Sequence, residues 1–211
     1  MDHSLFIFDW DGTLSSMRRI MKLNEGAKRA LRMWDKEERL KSIERDGRAL
    51  GRKITIEETK NSTMVALFDF LLNFSRPKLH KDTIALLDFL RRRGKVVVLF
   101  SNGRGGRIMK ELERTGIRDR FDMVVSAKDI GAEKPSPVGI RSIMERVGAG
   151  RRDTVYIGDT IDDILASDLA GISSCAVACG LDSGHTLRSG EPDYLFSSIG
   201  AMFRSLKSGK A

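Results

Sequence analysis

No apolar run in this 211-residue sequence approaches the roughly 20 residues needed to cross a bilayer. The chain goes into a strand-like segment at Leu5 without a charged leader or a small-residue cleavage site, so a cytoplasmic protein with no membrane partner is expected. Cysteine is scarce. Cys175 and Cys179 lie close together among small and apolar residues, and no second pair or histidine completes a zinc site, so free, buried thiols are expected. The histidines His3, His80 and His185 have no carboxylate or cysteine at diagnostic spacing and receive no role. No internal repeat or low-complexity stretch stands out.

What is present is enough for a globular fold. The length allows one large domain or one domain carrying an insert, and 41% hydrophobic residues fill a sizeable core. The net charge of +8 is concentrated: residues 15–80 hold sixteen Lys and Arg against nine Asp and Glu, which leaves the rest of the chain close to neutral. Such a segment is either a set of solvated helix faces or a surface that attracts an anion.

The chain begins with a short buried strand, "LFIF", that runs into Asp9-Trp10-Asp11-Gly12-Thr13. Long charged helix-forming stretches follow, including one with Thr55 and Glu58 in capping-box spacing, and Pro77 closes them. Residues 15–80 therefore read as a small helical insert. Beyond them strands and helices alternate: a helix through Arg93 stopped by Gly94, the strand "KVVVLFS", a helix over 105–115 stopped by Gly116, and the strand "FDMVVSA". The helix "SPVGIRSIMERVG", the strand "TVYIGD", the helix "TIDDILASDLAG" and the strand "SSCAVACG" continue the pattern. Alternation of this kind implies parallel pairing with right-handed crossovers, hence a doubly wound α/β core over 1–14 and 81–211.

In such sheets the ligand site lies at the carboxyl ends of the strands. Those ends carry Asp9 and Asp11, Ser101 and Asn102, and Asp159 with Asp163 four residues on. Each alone has an ordinary explanation as a cap or turn residue. Together they form a crevice of carboxylates, which repel one another unless a cation neutralises them, and a hard divalent ion such as Mg²⁺ suits oxygen ligands. Lys134 could add a fixed positive charge, while Ser101 and the amides of the 102–106 turn could bond phosphate oxygens. The parts fit phosphoryl transfer.

The ordered set "DWDGT", "LFSN", "EKPSP" and "GDTIDD" resembles the haloacid dehalogenase superfamily, in its phosphoglycolate-phosphatase-like branch. The resemblance continues into "AGISSCAVACG" and "EPDYLFSSIGAM", similar to the family's last core strands and terminal helix, and residues 15–80 stand where its helical cap is inserted. It implies Asp9 as the nucleophile that becomes an aspartyl-phosphate, and Asp11 as the acid that protonates the leaving oxygen and then the base that activates water. It also implies Ser101 and Asn102 as phosphate-binding residues, Lys134 as the charge balance, and a Mg²⁺ held by Asp9, the Asp11 carbonyl, Asp159 and Asp163. Asp162 is off the family spacing and reads as a helix N-terminal charge.

Dehalogenases of the family lack an acid at the position of Asp11, which favours a phosphate-ester substrate; sugar-phosphate mutases share the whole set and stay open. The chain departs from many relatives in following "DGTL" with "SSMRR" and in placing bulky Trp10 between the acids. These departures bear on substrate choice. The basic cap, with arginines at 18, 19, 29, 32, 45, 48 and 52 among its charges, points to a small phosphate ester whose leaving group carries a further anion, a carboxylate or a second phosphate. A nucleotide phosphatase fits the same surplus. A nucleic-acid-binding or end-processing protein is a further alternative, but the cap offers few aromatics for stacking, only Trp34, Phe68, Phe70 and Phe74. A monomer or homodimer is expected.

Overall fold

The computed structural model describes residues 1–16, 45, 47, 49–51 and 77–209. The helices expected within 17–76, with the Thr55–Glu58 capping box and the aromatic residues of that stretch, lie outside the described residues.

The core is a six-stranded, wholly parallel sheet. Its strands in chain order are β1 (Leu5–Phe8), β4 (Val96–Ser101), β5 (Met123–Ser126), β6 (Thr154–Gly158), β7 (Ser173–Val177) and β8 (Tyr194–Phe196). A separate two-stranded ribbon supplies β2 (Ser15–Ser16) and β3 (Lys78–Leu79). In space the sheet runs β5-β4-β1-β6-β7-β8, so β1 is central and both its neighbours belong to later parts of the chain. All four residues of β1 are buried, as a strand covered on both faces requires.

The alternation of side chains along each strand sorts the helices into two layers. Phe6, Phe8, Val97, Leu99, Val155 and Ile157 face one way and pack on α1 (Thr83–Arg92), α2 (Gly105–Thr115) and α6 (Ile199–Ser208). Leu5, Ile7, Val98, Phe100 and Tyr156 face the other way and pack on α3 (Val138–Val147) and α4 (Ile161–Ala170). The short helix α5 (Gly184–Ser189) adds Leu187 to a third cluster with Ile161, Ile164 and Leu165. This is the doubly wound core expected from the sequence, and α2 has the expected bounds with Gly116 in the left-handed region at φ 68°.

The register places the site. Phe8 pairs with Leu99 on one side and Ile157 on the other, so Asp9 is level with Phe100 and Gly158, and the exits at Asp159 and Asn102 follow one and two residues further along the same edge. Here the strand order reverses, the switch point where open α/β sheets bind ligands. The ribbon stands at the same edge: Ser15 pairs with Leu79 and Ser16 with Lys78, which brings the two ends of the 17–76 segment side by side.

Candidate active site

The turn after β1 is pinned by one acceptor. The Trp10 carbonyl receives the amides of Leu14 (3.2 Å) and Ser15 (2.9 Å) and the Ser15 hydroxyl (3.0 Å). Gly12 completes the turn at φ 96°, and a Cβ there would stand 2.2 Å from Oδ2 of Asp159, so conformation and space both demand glycine. Thr13 turns inward and donates to Oδ1 of Asp159 at 2.7 Å, while the Leu181 amide donates to Oδ2 at 2.7 Å. Asp159 is thereby fixed beside the turn that carries Asp9 and Asp11.

Lys134 is the hub of the buried half. Its Nζ donates to Oδ1 of Asp9 (2.7 Å), Oδ1 of Asp163 (2.6 Å) and the Tyr156 hydroxyl (2.7 Å), which in turn donates to the Phe100 carbonyl at 2.7 Å. Burial opposes the charge on Lys134, yet Asp163 and Asp9 outweigh it and hold the ammonium well above its ordinary range. Burial likewise opposes ionisation of Asp163, but Lys134 and the Thr160 donors keep its carboxyl low. For Asp9, burial dominates over the pull of Lys134, and with the nearby charges of Asp163 and Asp11 it lifts the carboxyl to about 6.

Several expected residues are tied into the same network. Asp163, counted from the sequence with the metal ligands, gives its second oxygen to the amides of Asp159 (3.1 Å) and Thr160 (2.9 Å) and to the Thr160 hydroxyl (2.7 Å). Its carboxylate thus bonds Lys134 and closes the capping box that starts α4, so in the structure it also supports the lysine. Asn102 braces the lysine backbone, accepting from the Lys134 amide at 2.9 Å and donating to the Lys134 carbonyl at 3.3 Å. Ser101 is buried, with its Oγ accepting from the Gly103 amide at 3.2 Å. Asp162 lies in the first turn of α4, as its reading as a helix charge implies.

Asp11 meets a different cation, one the sequence did not signal. The Arg107 guanidinium bonds both carboxylate oxygens of Asp11, and its Nη1 also reaches Oε2 of Glu111 at 3.0 Å. Trp10 donates to that same oxygen at 2.6 Å. An Arg and a Glu four apart on a helix usually mean an exposed pair, so nothing in the pattern marked them. His80 also acquires a contact, with Nε2 3.0 Å from the Gly12 carbonyl.

Among the described residues, no three of His, Cys, Asp and Glu gather into a preformed metal cluster. Oδ2 of Asp9 and the Asp11 carbonyl, however, accept no hydrogen bond from the described residues, and Asp159 stands next to them. Two carboxylates and a carbonyl form an all-oxygen set, and a carboxyl lifted by burial and then by its acidic neighbours is what a cation relieves, so the residues fit a hard divalent ion.

A model of the haloacid dehalogenase-like hydrolase family matches residues 6–177, from β1 through β7. The chain belongs to this family. Among curated members it is similar to a phosphoglycolate phosphatase of Vibrio vulnificus, 27% identical over 160 residues that span 72% of this chain and 70% of that one. It is also similar to the pyrophosphatase PpaX of Bacillus velezensis, 29% identical over 113 residues, 54% of this chain and 52% of the relative. The chain thus spans about half the length of the pyrophosphatase relatives it matches. A solved predicted phosphoglycolate phosphatase from Haemophilus somnus superposes with a TM-score of 0.70 at 16% identity, covering 100% of this chain and 99% of that one. The L-2-haloacid dehalogenase of Xanthobacter autotrophicus gives 0.63 at 16% identity, with 97% and 98% covered. At such identities the likeness of this haloacid dehalogenase-like hydrolase to either structure is one of fold.

Proposed function

We propose that this hydrolase is a Mg²⁺-dependent phosphatase of small anionic phosphate monoesters, acting through an aspartyl-phosphate on Asp9. The observation that carries the reading is the Lys134 hub: a buried ammonium that orients Oδ1 of Asp9 while Oδ2 accepts no hydrogen bond from the described residues. An oxygen of Asp9 attacks phosphorus, the ester P–O bond breaks, and Asp11 gives its proton to the departing oxygen. Asp11 then takes a proton from water, whose oxygen attacks the phosphorus of the acyl phosphate, releasing orthophosphate and restoring Asp9. Lys134 balances the charge that builds on the phosphoryl oxygens, with Ser101 and the amides opening α2 beside it. Asp9, the Asp11 carbonyl and Asp159 would hold Mg²⁺, which supplies charge neutralisation and in-line orientation when bound.

The segment 15–80 acts in this reading as a lid that meets the leaving group. Its basic surplus favours leaving groups that keep a negative charge, such as glycolate or orthophosphate, and the named substrates of the phosphoglycolate phosphatase and pyrophosphatase relatives share that property. The test is phosphate release from phosphoglycolate, pyrophosphate, nucleoside monophosphates, neutral sugar phosphates and para-nitrophenyl phosphate, with and without Mg²⁺. Expected is metal-dependent turnover, highest on the anionic leaving groups and abolished by Asp9→Asn. Highest kcat/KM on the sugar phosphates would overturn the substrate class, and turnover that survives Asp9→Asn would overturn the mechanism.

A further inference from the structure

Asp11 is at once the more exposed of the two acids and the more tightly oriented. Its side chain is 19% exposed, against 3% for Arg107, and both of its oxygens lie on the guanidinium. A planar guanidinium against a planar carboxylate fixes the rotation of the carboxylate as a point charge does not. Each oxygen has two lone pairs, so a bidentate contact uses one on each and leaves the other to exchange a proton.

The guanidinium is itself fixed. Glu111, one turn further along α2, accepts from Nη1 of Arg107, and Oε2 of that glutamate is held by the Trp10 indole. Burial raises the Glu111 carboxyl, and its Oε1 has no hydrogen-bond partner among the described residues, so the residue is costly where it stands. Space has been cleared as well. A Cβ on Gly103 would fall 2.2 Å from Nη2 of Arg107 and 3.3 Å from Oδ2 of Asp11. Trp10, the bulky residue between the two aspartates, is fully buried and closes the circuit back to the chain that carries Asp11.

We infer that Arg107, anchored by Glu111 and given room by Gly103, is a positioning residue that orients the Asp11 carboxylate toward the leaving oxygen. The inference rests on the phosphatase reading above and adds a residue to it. The proton reaches the leaving oxygen from Asp11; Arg107 neither gains nor loses one, and acts only by holding the carboxylate plane. Substrates whose leaving group needs that proton depend on the clamp, and substrates that leave readily as anions do not.

The experiment uses the whole chain with Mg²⁺ and compares wild type, Arg107→Met, Arg107→Lys and Gly103→Ala. Each is assayed on para-nitrophenyl phosphate, an activated ester, and on ethyl phosphate, an unactivated one. The readout is kcat/KM, which covers the steps up to leaving-group departure. Arg107→Met is expected to lower it on ethyl phosphate by about 100-fold or more, the lower end of what a positioned general acid contributes, and on the aryl ester by less than about tenfold. Arg107→Lys keeps the buried charge but loses the fork, and Gly103→Ala keeps the arginine but displaces it; both are expected to show the same selective loss while remaining folded by circular dichroism. Equal proportional losses on the two esters in all three variants would overturn the inference, leaving Arg107 a structural ion pair. A wild type that turns over neither ester, nor any member of the earlier panel, would remove the phosphatase reading and this inference with it.

Discussion

Asp9 and Asp11 are two residues apart, yet each is held by its own cation, and the two cations are built into the protein differently. Lys134 is a point charge sealed among Asp9, Asp163 and Tyr156, reached from the strand ends β1 and β6 and braced through its backbone by Asn102. Arg107 is a fork on the first turns of α2, with one carboxylate facing the crevice and the other facing the core. In the proposed mechanism the difference follows from the task of each acid. A nucleophile must stay ionised in a place that excludes water, and a compact ammonium with three acceptors does that. A group that must pass a proton in both directions needs orientation with access, and a bidentate clamp on a partly exposed carboxylate gives both.

The sharpest way to break that contrast is to remove each cation. Lys134→Met leaves Asp9 and Asp163 buried without their counter-charge, and we expect a stability loss of about 3–5 kcal/mol by chemical denaturation together with a fall in kcat of about 10³-fold or more. Arg107→Met is expected to cost somewhat less stability, about 2–4 kcal/mol, because of the two acids it leaves behind Glu111 stays buried but Asp11 can turn to water. A larger loss at Arg107 than at Lys134 would reverse the assignment of which half is sealed. Asp163→Asn probes the support of the lysine. It keeps the shape but removes one of two charges, and a fall in kcat of about 10–100-fold with KM nearly unchanged is expected from the loss of an orienting partner.

A smaller effect belongs to Tyr156, whose hydroxyl bridges Lys134 and the Phe100 carbonyl. Tyr156→Phe leaves a buried carbonyl and one ammonium proton without partners. The expected cost is about 1–2 kcal/mol in denaturant midpoint analysis, with kcat reduced less than about tenfold because Asp9 and Asp163 still hold the lysine. Loss of activity as deep as that of Lys134→Met would show that the tyrosine takes part in the chemistry.

The same contrast marks how far the sequence could be read. Strand ends were legible because a hydrophobic run that stops at Asp9, Asn102 or Asp159 announces both the strand and the exit, and family order tied those exits into one site. Lys134 was legible by its motif. Its three acceptors were not, since Tyr156 lies inside the strand β6 and reads as core until the sheet places it under the lysine. Asp163 was legible as an acid of the site, but a carboxylate three residues after Thr160 is also an N3 capping residue, and only the fold brings it onto Lys134 and α4 at once. Arg107 and Glu111 carried no signal in the sequence, because the burial of α2 depends on strands elsewhere in the chain. The charge of residues 15–80 was legible as composition alone.

At the carboxyl edge of the sheet buried charge is paired, whereas at the opposite edge it is avoided. His3, just before β1, is buried, with Nε2 3.1 Å from the Ser173 hydroxyl, Nδ1 without a partner among the described residues, and Phe6 and Tyr194 edge-on to the ring. Burial, aided by the N-terminal ammonium, holds its pKa below the ordinary 6.5 despite Asp193. The folded state therefore binds fewer protons than the unfolded chain once the pH drops below 6.5, and stability present above that value is lost as the solution is acidified toward the folded pKa. Replacing His3 by Phe removes the titration. Melting temperatures of wild type and His3→Phe should run parallel between about pH 7 and 8 and diverge below about pH 6, with the wild type falling faster. Curves that stay parallel down to about pH 5 would mean that His3 accepts its proton in the folded state, and the opposite edge would then tolerate an unpaired charge that the catalytic edge does not.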